Sequence, residues 1–370
     1  MKIKFVDLAR ESNLIKTELL KVTESVIDSG NYILGDYVKK FEVEFASYCG
    51  VSQAIAIGNG SDGLTLLMRA MGIGSGDEVI CPANSFIASA WSIVSTGATP
   101  VFCDVEDNLL LSINTIKKCI TKKTKAIMAV HLTGKLCIDE PLLEFCKNNN
   151  ISFIEDAAQA IGASNSNGQK AGSFGIASSF SMHPLKNLSV YGDGGVVTTN
   201  SIELADEIKL LRNHGLINRD ECIKWGFNSR LDEIQAAFAL IKLKYIDSWN
   251  KKYISIANKY NKFLSNKAHK PSTKDGYTDV FHNYIVRVPV DIRDKIMSLL
   301  LDFGIETKIH YPIPLHLQKC SENLGYKSGD FEKAELFAKS MISLPIYHTL
   351  TDLEVEYVIN TFNKIIDQLI

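Results

Sequence analysis

The sequence predicts an α/β fold with a mostly parallel central sheet flanked by helices, followed by a smaller C-terminal α+β unit. Three observations predict it. Over roughly the first 240 residues, short apolar runs alternate with longer amphipathic ones, as in chains of strand–helix–strand units. The short runs are apolar throughout, which suits strands covered on both faces. Near Arg230 the alternation gives way to a long helical run, and a shorter, mixed pattern follows it.

In chain order, AIAIG (Ala54–Gly58) reads as a buried strand. Ser61–Gly72 reads as the helix after it, capped by Ser61 or Asp62 and stopped by glycine. DEVICP, TPVFCDV, TKAIMAVHL and ISFIEDAA are the next strand candidates, separated by helical stretches such as EPLLEFCKNNN. Two strand-like segments then flank a loop that holds Lys186 and the run Gly192-Asp193-Gly194-Gly195. RLDEIQAAFALIKLKYIDSWNKKYISIANKYNKFL carries apolar residues at three- and four-residue spacing and reads as a long helical run. Beyond it, NYIVRVPV reads as a strand, FEKAELFAKSM as a helix and DLEVEYVINTFNKII as a closing helix. The boundary is placed near Ser248, which divides the chain into units 1–248 and 249–370.

Composition narrows the function. The chain has 370 residues and a formal net charge of −2, so no polyanion-binding surface is indicated and a nucleic-acid partner is not expected. Charges interrupt the first residues, MKIKFVDLARESN, so no secretory signal core is read there. No apolar stretch approaches the roughly 20 residues that cross a bilayer. A cytoplasmic protein without a membrane partner is expected. The eight cysteines form no CxxC pair, so a metal site is not expected, and their apolar surroundings predict buried, reduced thiols.

Three loops carry chemistry. In open parallel sheets, ligands sit beyond the carboxyl ends of the strands. GNGSDGL (Gly58–Leu64) is a strand-to-helix turn whose glycines allow close approach and whose helix start offers N–H groups to a phosphate; an ordinary capped helix start explains it as well. It is neither a Walker A loop nor GxGxxG. In FIEDAAQAIGA (Phe153–Ala163), an acidic pair ends a strand and Gln159 follows Asp156 by three residues. A carboxylate there can hold a protonated ring nitrogen, or cap a helix. The third loop holds Lys186. A buried lysine loses proton affinity and becomes nucleophilic toward an aldehyde, whereas an unremarkable loop lysine is simply solvated. Ser181, five residues earlier, can donate to a phosphate or serve as a turn hydroxyl. Taken together in this order, a phosphate cradle, a carboxylate and an imine-forming lysine are what pyridoxal 5′-phosphate requires of a protein.

The chain resembles the sugar aminotransferases of the DegT/DnrJ/EryC1/StrS type, within fold type I of pyridoxal-phosphate enzymes, the aspartate-aminotransferase-like group. The resemblance spans nearly the whole chain. It rests on SGNYILGDYVKKFEVEFASYCGV, GDEVICPANSFIASAWSIVSTGATPVFCDVE, EDAAQAIGA, SFSMHPLKNLSVYGDGGVVTTN, LRNHG, GFNSRLDEIQAA and HYPIPLHLQ.

The resemblance implies a large pyridoxal-phosphate-binding domain over residues 1–248 and a small domain over 249–370. It implies that Lys186 holds the cofactor covalently and moves the proton, and that Asp156 pairs with the ring nitrogen. Gln159 would lie near the ring hydroxyl, and Phe86 in NSFIA would stack on the ring. Gly60, Ser61, Asp62 and Ser181 would bind the phosphate. Asn228 would reach the phosphate of the partner subunit, which implies a homodimer with shared active sites. Tyr32, in SGNYILG, and His310, Tyr311 and His316, in HYPIPLHLQ, would face substrate, with packing an equal alternative for His316. Some sugar-binding relatives carry histidine at the lysine position and are dehydratases; Lys186 favours transamination.

The expected reaction is amino transfer from L-glutamate to a keto group of a nucleotide-linked deoxysugar, in the supply of aminosugars for lipopolysaccharide or other glycans. KNLSVYGDGG and SGNYILG resemble the C3-aminating subgroup more than the C4 subgroup, which often carries TTGEGG. Keto-inositols and small phosphorylated ketones are further alternatives. A regulatory protein on the same fold, and a lyase or dehydratase using the same cofactor, are the other readings.

Overall fold

A computed structural model describes residues 1–370. Seven strands, β1 (Gln53–Ile57), β2 (Glu78–Pro82), β3 (Thr99–Cys103), β4 (Thr124–Val130), β5 (Ser152–Asp156), β6 (Ala177–Ser181) and β7 (Gly195–Thr199), form one sheet in the order β1-β7-β6-β5-β4-β2-β3. β7 runs antiparallel to both its neighbours, β1 and β6; the remaining pairs are parallel. The reversal has a local cause. No helix lies between β6 and β7, so the chain lacks the crossover a parallel return needs and folds straight back. That folded-back segment carries Lys186.

The apolar runs are continuous because the sheet is covered on both faces. Consecutive strand side chains point to opposite sides. Ile80, Ile127, Phe153 and Val196 enter one core, shared with Phe41, Leu142 and Leu240 from helices Asp36–Cys49, Glu140–Asn148 and Glu233–Leu243. Their strand neighbours Val79, Met128, Ile154 and Val197 enter the other, with Leu67, Ile93 and Ile208 from helices Gly60–Ala70, Ile87–Thr96 and Ile202–Arg212. Each fully buried side chain of this size contributes about 1.5–3 kcal/mol.

Three local expectations need correction. The long helical run is two helices, Glu233–Leu243 and Ile246–Phe263. The first buries Ala236 and Leu240 against the sheet; the second buries Tyr253, Ile256 and Tyr260 in a separate C-terminal core. The two stripes face different cores, so the chain turns at Lys244-Tyr245, where no glycine or proline marks the break. The helix after β1 is capped by Asn59, whose side chain accepts from Asp62 N at 2.8 Å, and not by Ser61 or Asp62. All eight cysteines are free, but Cys222 and Cys320 are exposed, because each lies in a connecting segment outside the cores.

In the C-terminal part, β8 (Tyr284–Arg287) pairs antiparallel with β9 (Met341–Leu344), and helices Arg293–Asp302 and Asp352–Leu369 pack with them. Ile3 joins this core, its N–H donating to Gly304 O at 2.8 Å. Ser248 lies inside helix Ile246–Phe263. No helix is long and apolar enough to cross a membrane.

Candidate active site

The carboxyl ends of β1, β5 and β6 converge on one place. After β1 the chain enters helix Gly60–Ala70 directly. Its first two amides, Gly60 and Ser61, have no acceptor in the chain, while Asp62 N and Gly63 N are taken by Asn59. Such open amides, with the positive end of the helix dipole, favour an anion. Gly60 is required by proximity: a Cβ there would sit 2.9 Å from Ser181 Cβ, at the end of β6. Gly195 is equally constrained, since its Cβ would meet the Asn59 carbonyl carbon at 2.5 Å. Asp62 faces inward, accepting from Ser229 Oγ at 2.7 Å, and Gly58 N donates to the same Ser229 oxygen at 3.1 Å.

Asp156 ends β5 and is buried. No helix begins after it, so the capping alternative does not hold. Ser89 Oγ donates to its Oδ2 at 2.7 Å and Ala158 N to its Oδ1 at 3.2 Å. Its neighbour Glu155 points to the other side and ties down the chain ahead of β6, accepting from Gly172 N, Phe174 N and Gly175 N at 2.7–3.0 Å. His131 Nε2 lies 2.9 Å from Glu155; Cys137 N donates to His131 Nδ1, so Nε2 carries the proton. The acidic pair thus divides: Glu155 is structural, and Asp156 faces the site.

Lys186 stands in the fold-back after β6, its N–H bonded to His183 O at 2.8 Å. Burial pushes its pKa down to about 8, against the pull of the Asp156 carboxylate, and no hydrogen bond holds its ammonium group. Near pH 7 roughly a tenth of Lys186 is therefore free amine, far more than for an ordinary lysine. In cofactor-free protein, reaction of Lys186 with an amine-acylating reagent should titrate with a midpoint of about 8, against about 10.4 for an ordinary lysine. Mass mapping of the modified peptide across the pH range measures this; a midpoint at the ordinary value would show that burial does not act on Lys186.

Gln159 is clamped from both ends. Its Oε1 accepts from Thr133 N at 2.7 Å, and its Nε2 donates to Tyr311 OH at 3.1 Å. Burial and Asp156 raise the Tyr311 phenol, which stays protonated. The Phe86 ring lies 5.4 Å from the Tyr311 ring and is half exposed, so a flat face remains open to a ligand. His310 bonds Ser343 Oγ at 2.8 Å, and burial with Lys186 and Lys308 nearby pulls it down to about 4, so it is neutral.

The remaining candidates do not meet here within one chain. Asn228 is exposed, its backbone paired with Asn213. Tyr32 is exposed too, its carbonyl held by Glu233 N at 3.0 Å. His316 is turned inward: its Nε2 lies 3.1 Å from Glu335 Oε1 and its ring packs on Phe331. The substrate-facing expectation for His316 gives way to packing, because that buried pair leaves the imidazole no open edge.

Sequence reasoning missed His282. Burial first, then Lys186, His310 and His183, hold it well below the ordinary histidine range, so it is neutral. Asn187 Nδ2 donates to Asn250 Oδ1 at 3.0 Å and Val280 O at 3.1 Å, which turns Asn187 Oδ1 toward His282 Nδ1 at 3.3 Å. His282 Nδ1 therefore carries the proton. Ser89 and Ser229 were missed as well, since only the fold joins them to Asp156 and Asp62. The arrangement can accept a phosphate on open amides, hold a cationic ring nitrogen against a fixed carboxylate, and attack an aldehyde with an unprotonated amine.

The comparisons agree with this chemistry. Residues 13–363 match the DegT/DnrJ/EryC1/StrS aminotransferase family. The chain is 42% identical to a dTDP-3-amino-3,6-dideoxy-α-D-galactopyranose transaminase of Aneurinibacillus thermoaerophilus, over 98% of this chain and 99% of that one. It is 40% identical to a pleiotropic regulatory protein of Geobacillus stearothermophilus, over 97% of both. Among solved structures, S. venezuelae DesV in complex with a ketimine intermediate superposes with a TM-score of 0.95, at 37% identity over 98% of both chains. The chain belongs to the DegT/DnrJ/EryC1/StrS aminotransferase family and is a pyridoxal-phosphate-dependent transaminase of the same fold.

Proposed function

We propose that this chain transfers the amino group of L-glutamate to a keto group, C3 favoured, of a nucleotide-linked deoxysugar. The observation that carries the proposal is the unbonded, partly neutral Lys186 within electrostatic reach of the fixed Asp156 carboxylate, together with the open Gly60 and Ser61 amides. These residues fit pyridoxal phosphate. Gly60, Ser61, Asp62 and Ser181 would hold its phosphate, Asp156 its ring nitrogen, Gln159 its ring hydroxyl side, Phe86 its face and Lys186 its aldehyde carbon.

Bound pyridoxal phosphate supplies an aldehyde for amine capture and a ring that accepts the electron pair left by a departing α-proton. The chain's residues do the rest. With the cofactor bound, Lys186 would yield its place to the donor amine, take the α-proton at Nζ and deliver it to the former aldehyde carbon on the far side of the shared nitrogen; with the ketosugar it would run the same proton transfers in reverse. Asp156 would keep the ring nitrogen protonated. Neutral His282 and His310 add no positive charge beside Lys186, so its amine stays basic enough to take the proton and free enough to lose it. Tyr311 and Gln159, bonded to each other, wall the site on the C-terminal side. The intact Lys186, Asp156 and Gln159 favour catalysis over a purely regulatory role. The proposal includes a cytoplasmic homodimer and the division into units 1–248 and 249–370.

Asn228 belongs to this proposal as a phosphate contact to the partner subunit, supported by its exposure in the single chain. Mixing inactive Lys186→Ala chains with a strongly impaired Asn228 variant should then restore activity. In the mixed dimer, one site receives both altered residues and the other neither. No recovery, with subunit exchange verified, would assign Asn228 to its own chain.

C3 preference rests on KNLSVYGDGG, with Asp193 where C4-aminating relatives carry glutamate, and on the transaminase relative named for a 3-amino sugar. Asn187 and Leu188 are buried directly after the lysine, so the loop has a fixed shape. Productive transfer needs reacting atoms about 3–3.5 Å apart, which presenting a neighbouring ketone would disturb. A nucleotide-linked 3-keto-6-deoxyhexose should be aminated far faster than its 4-keto isomer at equal concentration with glutamate, the product position read by NMR. Amination at C4 alone would move the protein to the C4 class.

A further inference from the structure

We propose that the cavity between the turn after β4 and strand β8, apart from the Lys186 site, is a binding site for a phosphate group. The cavity encloses about 190 Å³. Three elements supply donors to its lining: Thr133 and Lys135 from the turn, Asn283 just before β8 and Arg287 at its end, and His269 from the segment paired with Arg287; Asp107, Asn108 and Ser272 complete the polar wall.

Its charges are unequally satisfied. Lys135 is 7% exposed and spends a single proton, on Ser272 O at 2.7 Å. Arg287 lies over the Phe337 ring at 4.4 Å and touches the neutral His269 ring nitrogens at 3.0–3.1 Å, with no carboxylate bonded to it. Asn283 is 3% exposed, and its Nδ2 has no partner at all. Two carboxylates lie in electrostatic reach, Asp279 of Lys135 and Asp107, which also lines the cavity, of Arg287, and each has another partner. Asp279 accepts from Thr273 Oγ1 at 2.7 Å, and Asp107 pairs with Lys333 at 3.3 Å. A buried amide with no partner and a buried cation with donors to spare are costly, and they recover part of that cost when an anion arrives.

The ligand class follows from the kinds of donor that line the cavity. Donors supplied by three elements suit an oxyanion with several free oxygens better than a planar carboxylate, and a guanidinium matches two phosphate oxygens at once. Burial lowers the Lys135 pKa against the pull of the Asp279 carboxylate, and Arg287 nearby lowers it further, so the amine gains from an added anion. Free phosphate and a small phosphomonoester share this chemistry. The same turn sends Thr133 N to Gln159, so a ligand here would brace the turn that positions Gln159.

The test is titration calorimetry on cofactor-loaded protein, whose Gly60–Ser61 cradle is already filled, with inorganic phosphate in one arm and glycerol 3-phosphate in the other. One site per chain is expected in at least one arm, and the arm that binds identifies the source. Lys135→Met and the isosteric Asn283→Asp should each weaken it at least tenfold while amino transfer persists. Crystals soaked in tungstate give a readout that needs no variant, with an anomalous peak expected between Lys135 and Arg287. Binding that both folded variants leave unchanged, or no binding in either arm with no peak in the cavity, overturns the proposal.

Discussion

Replacing Lys186 by alanine is expected to abolish amino transfer, by at least about 10⁴-fold, the upper range for one positioned proton-transfer group. The loss should be chemical and not structural. The ammonium group makes no hydrogen bond, so its removal orphans nothing. Burial holds its folded-state pKa at about 8, below the 10.5 of a free lysine. A depressed lysine pKa means that the folded state opposes the charge; the penalty is full below pH 8 and fades as pH rises through it. The cofactor-free variant should therefore melt no lower than its parent at pH 7, with relief of up to roughly 3 kcal/mol offset by lost packing. It should still bind cofactor noncovalently through the Gly60 helix start and Asp156. A variant that turns over normally would remove Lys186 from the mechanism.

Asp156→Asn is expected to cost about 10²–10³-fold, as for other preorganised electrostatic contacts to a reacting centre. The substitution preserves shape. Ala158 N still finds an oxygen, and the Ser89 hydroxyl can rotate to accept from the new amide, because Ser85 Oγ, at 2.7 Å, can donate to it or accept from it. Only the charge is lost, so the deficit belongs to removal of the α-proton. Glutamate deuterated at the α-carbon should show a larger isotope effect in the variant than in the parent. The Asp156 charge also raises the Lys186 pKa, so in Asp156→Asn the Lys186 titration should fall below about 8. Near-normal kinetics would mean that another group holds the ring nitrogen.

Much of the sheet was legible because strands buried on both faces leave continuous apolar runs, and β1 to β5 each stand where such a run does. Lys186 was legible as a lone lysine in a Pro/Gly-punctuated fold-back, and Asp156 as the last residue of an apolar strand. What stayed hidden depends on long-range geometry. The break at Lys244-Tyr245 arises from two cores facing different ways, with no breaker residue to announce it. Ser89 meets Asp156 and His282 meets Lys186 only after the sheet is assembled. His316 shows the converse: a histidine in a substrate-loop motif whose partner, Glu335, lies on a helix that the motif does not contain. Asn228 is exposed and no side-chain contact within this chain fixes its role.

The central claim, that Lys186 alone forms the covalent bond to the cofactor, is tested most directly by borohydride reduction of the cofactor-loaded protein, followed by digestion and mass mapping. The account predicts a stable cofactor adduct on the peptide holding Lys186 and on no other. Lys170 is the informative comparison, since its ammonium lies over the Tyr48 ring at 3.5 Å and not beside Asp156. An adduct on Lys170, or on any lysine other than Lys186, would contradict the account.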